Sequence, residues 1–123
     1  MQSPKPRILC TEDDDDTRDL LRLSLELEGF EVICVQQAEQ AINLARTQPF
    51  DLYLLDNWMP EVAGEDLCQR LREFDSTTPI LFYSGAARES DKRAAIAAGA
   101  QGYVVKPASP DELKSEILAL IGK

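Results

Sequence analysis

The sequence predicts an α/β fold: a single doubly wound (βα)5 domain with one parallel five-stranded sheet and helices on both faces. Three observations carry this. Five short apolar runs alternate strictly with five longer amphipathic ones. The chain has 123 residues, enough for one domain and too few for two. Right-handed crossovers leave few topologies, and the commonest for five such units is strand order 2-1-3-4-5.

Arg7–Thr11 (RILCT) reads as a buried strand. Residues 15–28 read as a helix, acid-rich at its start and closed by Gly29. Glu31–Val35 (EVICV) is a β-branched strand. Residues 37–47 are helical, with Ala38, Ala41, Ile42 and Ala45 on one stripe and Pro49 beyond the end. Residues 51–56 (DLYLLD) form the third strand, followed by the turn-rich segment NWMPEVAG. Residues 64–74 are helical, with Leu67, Cys68 and Leu71 on one face. Residues 79–84 (PILFYS) form the fourth strand. Residues 90–98 are an alanine-rich helix closed by Gly99. Gly102–Val105 (GYVV) is the fifth strand, stopped by Lys106-Pro107. The last helix starts near Ser109-Pro110, a cap followed by an N1 proline. It carries Leu113, Ile117, Leu120 and Ile121 on one face and runs to Ile121. Residues 1–123 therefore read as one domain with no output domain in this chain, either a stand-alone unit or a fragment of a longer protein.

Composition excludes several function classes. Thirteen basic and twenty-two acidic residues leave a net charge of −9. That charge repels phosphate backbones and anionic lipid, which argues against direct nucleic-acid binding. The longest apolar runs are too short for membrane insertion. No signal peptide is visible at MQSPKPR. Cys10, Cys34 and Cys68 fall in apolar positions without metal-type spacing, so they are expected as buried, reduced core thiols of a cytoplasmic protein. With no histidine and no CxxC, a zinc site has no ligand set.

In a sheet of this order, ligands bind beyond the carboxyl ends of the strands, between the first and third. The first strand runs into Glu12-Asp13, the third ends in Asp56, the fourth in Ser84, and the fifth runs into Lys106. Taken singly, each has a plainer reading. Asp14, Asp15, Asp16 and Asp19 suit a helix cap and its dipole, and Asp56 suits a turn. Ser84 suits a local backbone bond and Lys106 a solvated loop; Tyr103 suits strand packing. Their joint placement at four strand ends points elsewhere. Three carboxylates in one pocket repel unless one is protonated or a cation neutralises them. Hard oxygen ligands select Mg²⁺, Mn²⁺ or Ca²⁺, and few carboxylates plus waters suit octahedral Mg²⁺. Mg²⁺ beside a lysine and a serine is equipment for phosphoryl transfer, in which an aspartate can be the nucleophile.

These segments carry a family likeness. ILCTEDD, DLYLLDNWMPEVAG, PILFYSGAA and GAQGYVVKPA together resemble the receiver domain of two-component response regulators, along essentially the whole chain. The resemblance implies a CheY-like, flavodoxin-like fold and a phosphoacceptor switch rather than an enzyme acting on other substrates. It implies that Asp56 takes a phosphoryl group from a phosphohistidine on a sensor histidine kinase or histidine phosphotransfer protein. It assigns Mg²⁺, with Mn²⁺ as its substitute, to Glu12, Asp13, Asp56 and the backbone carbonyl of Trp58. It gives Ser84 and Lys106 the phosphoryl oxygens. Ser84 and Tyr103 become the switch pair, which alters the surface of the fourth helix, fifth strand and fifth helix for a downstream protein target. A cis Lys106–Pro107 bond is also expected, because the ammonium must turn back into the pocket after its strand ends.

Some positions depart from the family pattern. Glu12 stands for an aspartate and Ser84 for a threonine, each keeping the needed group. Ala63 stands where an aspartate usually precedes the glycine, and Ala108 where phenylalanine often follows Lys-Pro. Gln101-Gly102 replace the acids that the transcription-factor branch often carries before the aromatic.

Two rivals come from other classes. DDDDT at 13–17 matches the DxDxT of haloacid-dehalogenase-like phosphatases, but Glu12 intervenes after the strand and no cap domain follows. A receiver fold used as an unphosphorylated interaction module would need a broken acidic site, and this one is complete.

Overall fold

A computed structural model describes residues 4–57, 59 and 62–122. The elements alternate β1 (Arg7–Thr11), α1 (Asp15–Leu27), β2 (Glu31–Val35), α2 (Ala38–Thr47), β3 (Leu52–Leu55), α3 (Gly64–Arg72), β4 (Ile80–Ser84), α4 (Glu89–Ala98), β5 (Gly102–Val105) and α5 (Pro110–Ile121). The strands form one sheet in order β2-β1-β3-β4-β5, every pair parallel. Both expectations hold.

The two faces of the sheet divide by side-chain parity. Leu9, Tyr53, Leu55, Ile80 and Phe82 face α2, α3 and α4. Ile8, Cys10, Leu52, Leu54 and Leu81 face α1 and α5. The central strands are covered on both sides, which is why they read as continuous apolar runs. Each fully buried leucine, such as Leu25 or Leu67, contributes about 1.5–3 kcal/mol of burial.

Local signals set the helix ends. Asp14 caps α1, its carboxylate accepting from the Thr17 N–H at 2.8 Å. Ser109 caps α5 through the Glu112 N–H at 3.1 Å, and Pro110 follows at the first turn. Gly29 and Gly99 have φ of 99° and 120°, as residues closing α1 and α4 require. The α4 helix starts at Glu89, one residue before the expected 90, because the Asp91 carboxylate accepts the Arg88 N–H. β3 is shorter than 51–56: the Asp51 carboxylate instead takes the Arg7 N–H at 2.7 Å. Lys106–Pro107 is cis, as expected.

One thiol departs from expectation. Cys10 and Cys68 are buried, but Cys34 is only half-buried. It lies on β2, an edge strand, so no further strand covers it.

Candidate functional site

Parallel strands end together, so the residues that follow them converge at one edge of the sheet. Glu12 follows β1 directly, its N–H bonded to the Val35 carbonyl at 3.0 Å. Asp56 follows β3. Both are buried, at 3% and 6% exposure, which is rare for carboxylates without partners. Asp13 is exposed at the rim. One carboxylate oxygen from each of Glu12, Asp13 and Asp56 lies within 4.8 Å of the others. The structure thus brings together the three side chains that the sequence singled out. Trp58, whose carbonyl the resemblance added to the ligand set, lies outside the described residues.

Lys106 reaches back from the end of β5. Its ammonium donates to Glu12 Oε1 at 2.6 Å and to Asp56 Oδ2 at 3.2 Å. Its Nζ sits 5.4 Å from the centre of the Tyr83 ring, which helps hold the side chain inward. Burial alone would lower the lysine pKa. The hydrogen bond it donates to Glu12 and the charges of both carboxylates outweigh it, so the ammonium is held above its ordinary range. Glu12 behaves the opposite way: burial raises its pKa, and Lys106 offsets this only in part. Three acids therefore face one ammonium, and the pocket has capacity for a further positive charge. Oxygen donors at this spacing fit a small hard cation.

Ser84 ends β4, fully buried. Its Oγ accepts the Ala86 N–H at 3.2 Å. Tyr103 is turned inward. Its ring stacks on Phe82, with centroids 5.7 Å apart and planes 3° from parallel. Its hydroxyl donates to the Ala86 carbonyl at 2.6 Å. Burial raises the phenol pKa, with Ser84 opposing.

Asn57 went unnoticed in the sequence. It is buried, and its Nδ2 donates to the Tyr103 hydroxyl at 2.7 Å. The phenol thus accepts once and donates once. Asn57 Oδ1 has no hydrogen-bond partner among the described residues. A polar residue directly after a strand-end acid was the available signal. Its partner, 46 residues away, was not. Arg18 was likewise missed: its guanidinium donates to the Glu12 carbonyl at 3.1 Å and the Asp13 carbonyl at 3.4 Å, bracing the acidic turn.

Among the described residues, no helix is long and apolar enough to cross a membrane.

Residues 8–118 match the family model described as the response regulator receiver domain. The chain is 40% identical over 119 residues to the phosphate regulon transcriptional regulatory protein PhoB of Rhizobium meliloti, covering 94% of this chain and 52% of that protein. The chain thus spans about half the length of the curated relatives it matches. A putative response regulator from Chloroflexus aurantiacus superposes with a TM-score of 0.92 at 30% identity, over 98% of this chain and 100% of that one. The receiver domain of sensor histidine kinase PA1611 from Pseudomonas aeruginosa, solved with a magnesium ion coordinated in its active site cleft, gives 0.90 at 25%, with the same coverage. Sheet order, acidic pocket and family match agree: the chain belongs to the response regulator receiver domain family, the phosphoacceptor switches of two-component signalling.

Proposed function

We propose that Asp56 is the phosphoacceptor of this receiver, and that Glu12, Asp13 and Asp56 hold Mg²⁺, with Mn²⁺ able to substitute. The observation that carries the reading is the trio of carboxylates within 4.8 Å, two of which, Glu12 and Asp56, are bridged by the Lys106 ammonium. When bound, the cation supplies charge neutralisation for the incoming phosphoryl oxygens. The chain's own groups do the rest. An Asp56 carboxylate oxygen attacks phosphorus in line. The P–N bond of the donor phosphohistidine breaks, and its electron pair leaves with the imidazole. Lys106 moves from its carboxylate partners to a phosphoryl oxygen, and the Ser84 hydroxyl donates to another. The donor is a histidine kinase or histidine phosphotransfer protein in the cytoplasm. Ser84 and Tyr103 carry the change to the surface of α4, β5 and α5, where a downstream protein reads it. Turnover of other substrates is not part of this reading; the domain catalyses its own phosphorylation and dephosphorylation.

The test is incubation with acetyl phosphate and Mg²⁺ followed by intact mass. Wild type gains one phosphoryl group, and Asp56→Asn gains none. Addition of EDTA abolishes the gain. Modification of the Asn variant would overturn the assignment of Asp56; uptake unaffected by EDTA would overturn the cation.

A further inference from the structure

Two cysteines face each other across the outermost strand pair of the sheet. Cys10 is the fourth residue of β1 and Cys34 the fourth of β2, and the parallel register pairs them directly. Paired residues of neighbouring strands point to the same face. Both pack on the side covered by α1 and α5. Strands lie about 4.8 Å apart, inside the Cα span of about 4.4–6.8 Å that a disulfide bridges. The bond also requires the Cβ atoms to approach slightly closer than strand spacing. β2 is the outer strand, bonded to β1 alone, and Cys34 lies one residue from its end.

The surroundings give the two sulfurs different roles. Cys10 is 1% exposed. Cys34 is half-buried and lines an open cleft of about 200 Å³ with Arg18, Val35, Gln36 and Gln40. A water occupies about 30 Å³ of liquid, so the cleft has room for a small polar molecule beside Cys34. The hydrogen bond from Cys10 lowers the Cys34 pKa; burial opposes it, and the charges of Arg22 and Arg18 add to it. A thiolate is the nucleophilic form. Cys68 serves as an internal control. It lies on α3, across the sheet, its thiol donating to the Ala98 carbonyl at 3.4 Å and pushed up to about 11 by burial.

We propose that Cys34 and Cys10 form a peroxide-responsive thiol pair, with Cys34 the attacking sulfur and Cys10 the resolving one. The Cys34 thiolate attacks one oxygen of hydrogen peroxide. An S–O bond forms, the O–O bond breaks, and the departing hydroxide takes a proton and leaves as water. Cys34 is then a sulfenic acid. The Cys10 sulfur attacks the sulfenic sulfur. The S–S bond forms, the S–O bond breaks, and the hydroxyl leaves with the Cys10 proton as a second water. The two thiols together give up two electrons, which reduce one peroxide to two waters. The resulting bond ties β1 to β2 two residues before Glu12.

The experiment treats the folded chain with hydrogen peroxide, removes the oxidant, unfolds the protein in denaturant, and caps remaining thiols with N-ethylmaleimide. Intact mass and peptide mapping follow. Untreated protein takes three maleimides, one for each free cysteine. Oxidised protein takes one, on Cys68, and before capping it has lost two hydrogens. Dithiothreitol restores all three. Cys34→Ser forms no bond within the chain, and Cys10→Ser accumulates a dimedone-reactive sulfenic acid at Cys34. Three outcomes would overturn the proposal: a disulfide that includes Cys68, a covalent dimer of two chains through Cys34, or three unreacted thiols. Equal Cys10–Cys34 pairing from urea-unfolded chain would overturn it too, because the fold would then contribute nothing.

Discussion

Replacing Gly64 by alanine tests how tightly the site is built. Gly64 opens α3, and its N–H donates to the Asn57 carbonyl at 3.0 Å. Its φ is not positive, so alanine meets no conformational penalty there. Space is the obstacle. A Cβ would overlap the main-chain oxygen of Asp56, and would stand 2.8 Å from Phe82 Cε2 and 2.9 Å from Asn57 Cα. Carbon contacts are comfortable at about 3.5–4.0 Å, so the loop must open by roughly 1 Å. Two of the three obstacles are backbone atoms, and Phe82 is fully buried, so no side chain can rotate clear. Overpacking of this kind costs about 1–3 kcal/mol. An entropy of unfolding of about 2.1 cal/mol/K per residue turns 1 kcal/mol into roughly 4 °C for a chain this long, so Tm falls by about 4–12 °C. The displaced atom belongs to Asp56 itself. Phosphoryl uptake from acetyl phosphate therefore slows as well. Gly29→Ala is the matched control. Its φ of +99° makes alanine strained, yet nothing lies within 4 Å of the added Cβ. That variant loses stability and keeps its uptake rate. The reasoning fails if Gly64→Ala melts with wild type, or if it melts early while uptake is unchanged.

Two further outcomes are expected. Tyr103→Phe keeps the ring on Phe82 but strips partners from Asn57 Nδ2 and the Ala86 carbonyl. It should lower stability by about 1–3 kcal/mol and speed hydrogen exchange at 86–100; unchanged protection there would refute the anchoring role. Asp75 governs the acid limb. Burial would raise its pKa, but hydrogen bonds from Thr78, Tyr53 and Thr77 prevail and hold it below the ordinary value of 3.8. Its stabilisation is therefore full above that value and is lost as pH falls below it. The urea-midpoint gap between wild type and Asp75→Asn should be constant near neutrality and narrow progressively as pH falls below about 4; a gap that keeps its neutral size in strong acid would refute it.

The strands were legible because each buried strand is a short apolar run between turn residues. The site was legible because a topological rule gathers residues 12, 13, 56, 84 and 106 without knowledge of any side-chain contact. What escaped depends on neighbours distant in sequence. Cys34 is expected in the core from its apolar position, yet it lies on the edge strand β2, which has no outer neighbour, and it is half-exposed for that reason. Asn57 looked like a turn residue, since nothing local announces a partner at Tyr103. The sequence of α4 is alanine-rich, with Ile96 its one large apolar residue. The structure buries only Ala95 and Ala98 and leaves Ile96 51% exposed, so that helix is held by even less apolar surface than its sequence indicated.

That thin attachment bears on how the proposed switch couples pocket to surface. Ser84 Oγ accepts the Ala86 N–H, which leaves its own hydrogen for a phosphoryl oxygen. A shift of Ser84 toward Asp56 therefore draws Ala86 along rather than releasing it. The Ala86 carbonyl is the acceptor for the Tyr103 hydroxyl, and that hydroxyl also takes the Asn57 amide. Asn57 is bonded in sequence to Asp56. Two routes thus run from the acceptor aspartate to one phenol, one through the peptide to Asn57 and one through Ser84 and Ala86. Both end beside α4, which follows Ala86 by two intervening residues. Alanine contacts on α4 resist little, so a small displacement at Ala86 has a low energetic cost to pass on. A ligand shifts such an equilibrium only by its unequal affinity for the two arrangements. Here the inequality lies in whether Ser84, Ala86 and Tyr103 can all keep their bonds while Ser84 leans toward Asp56.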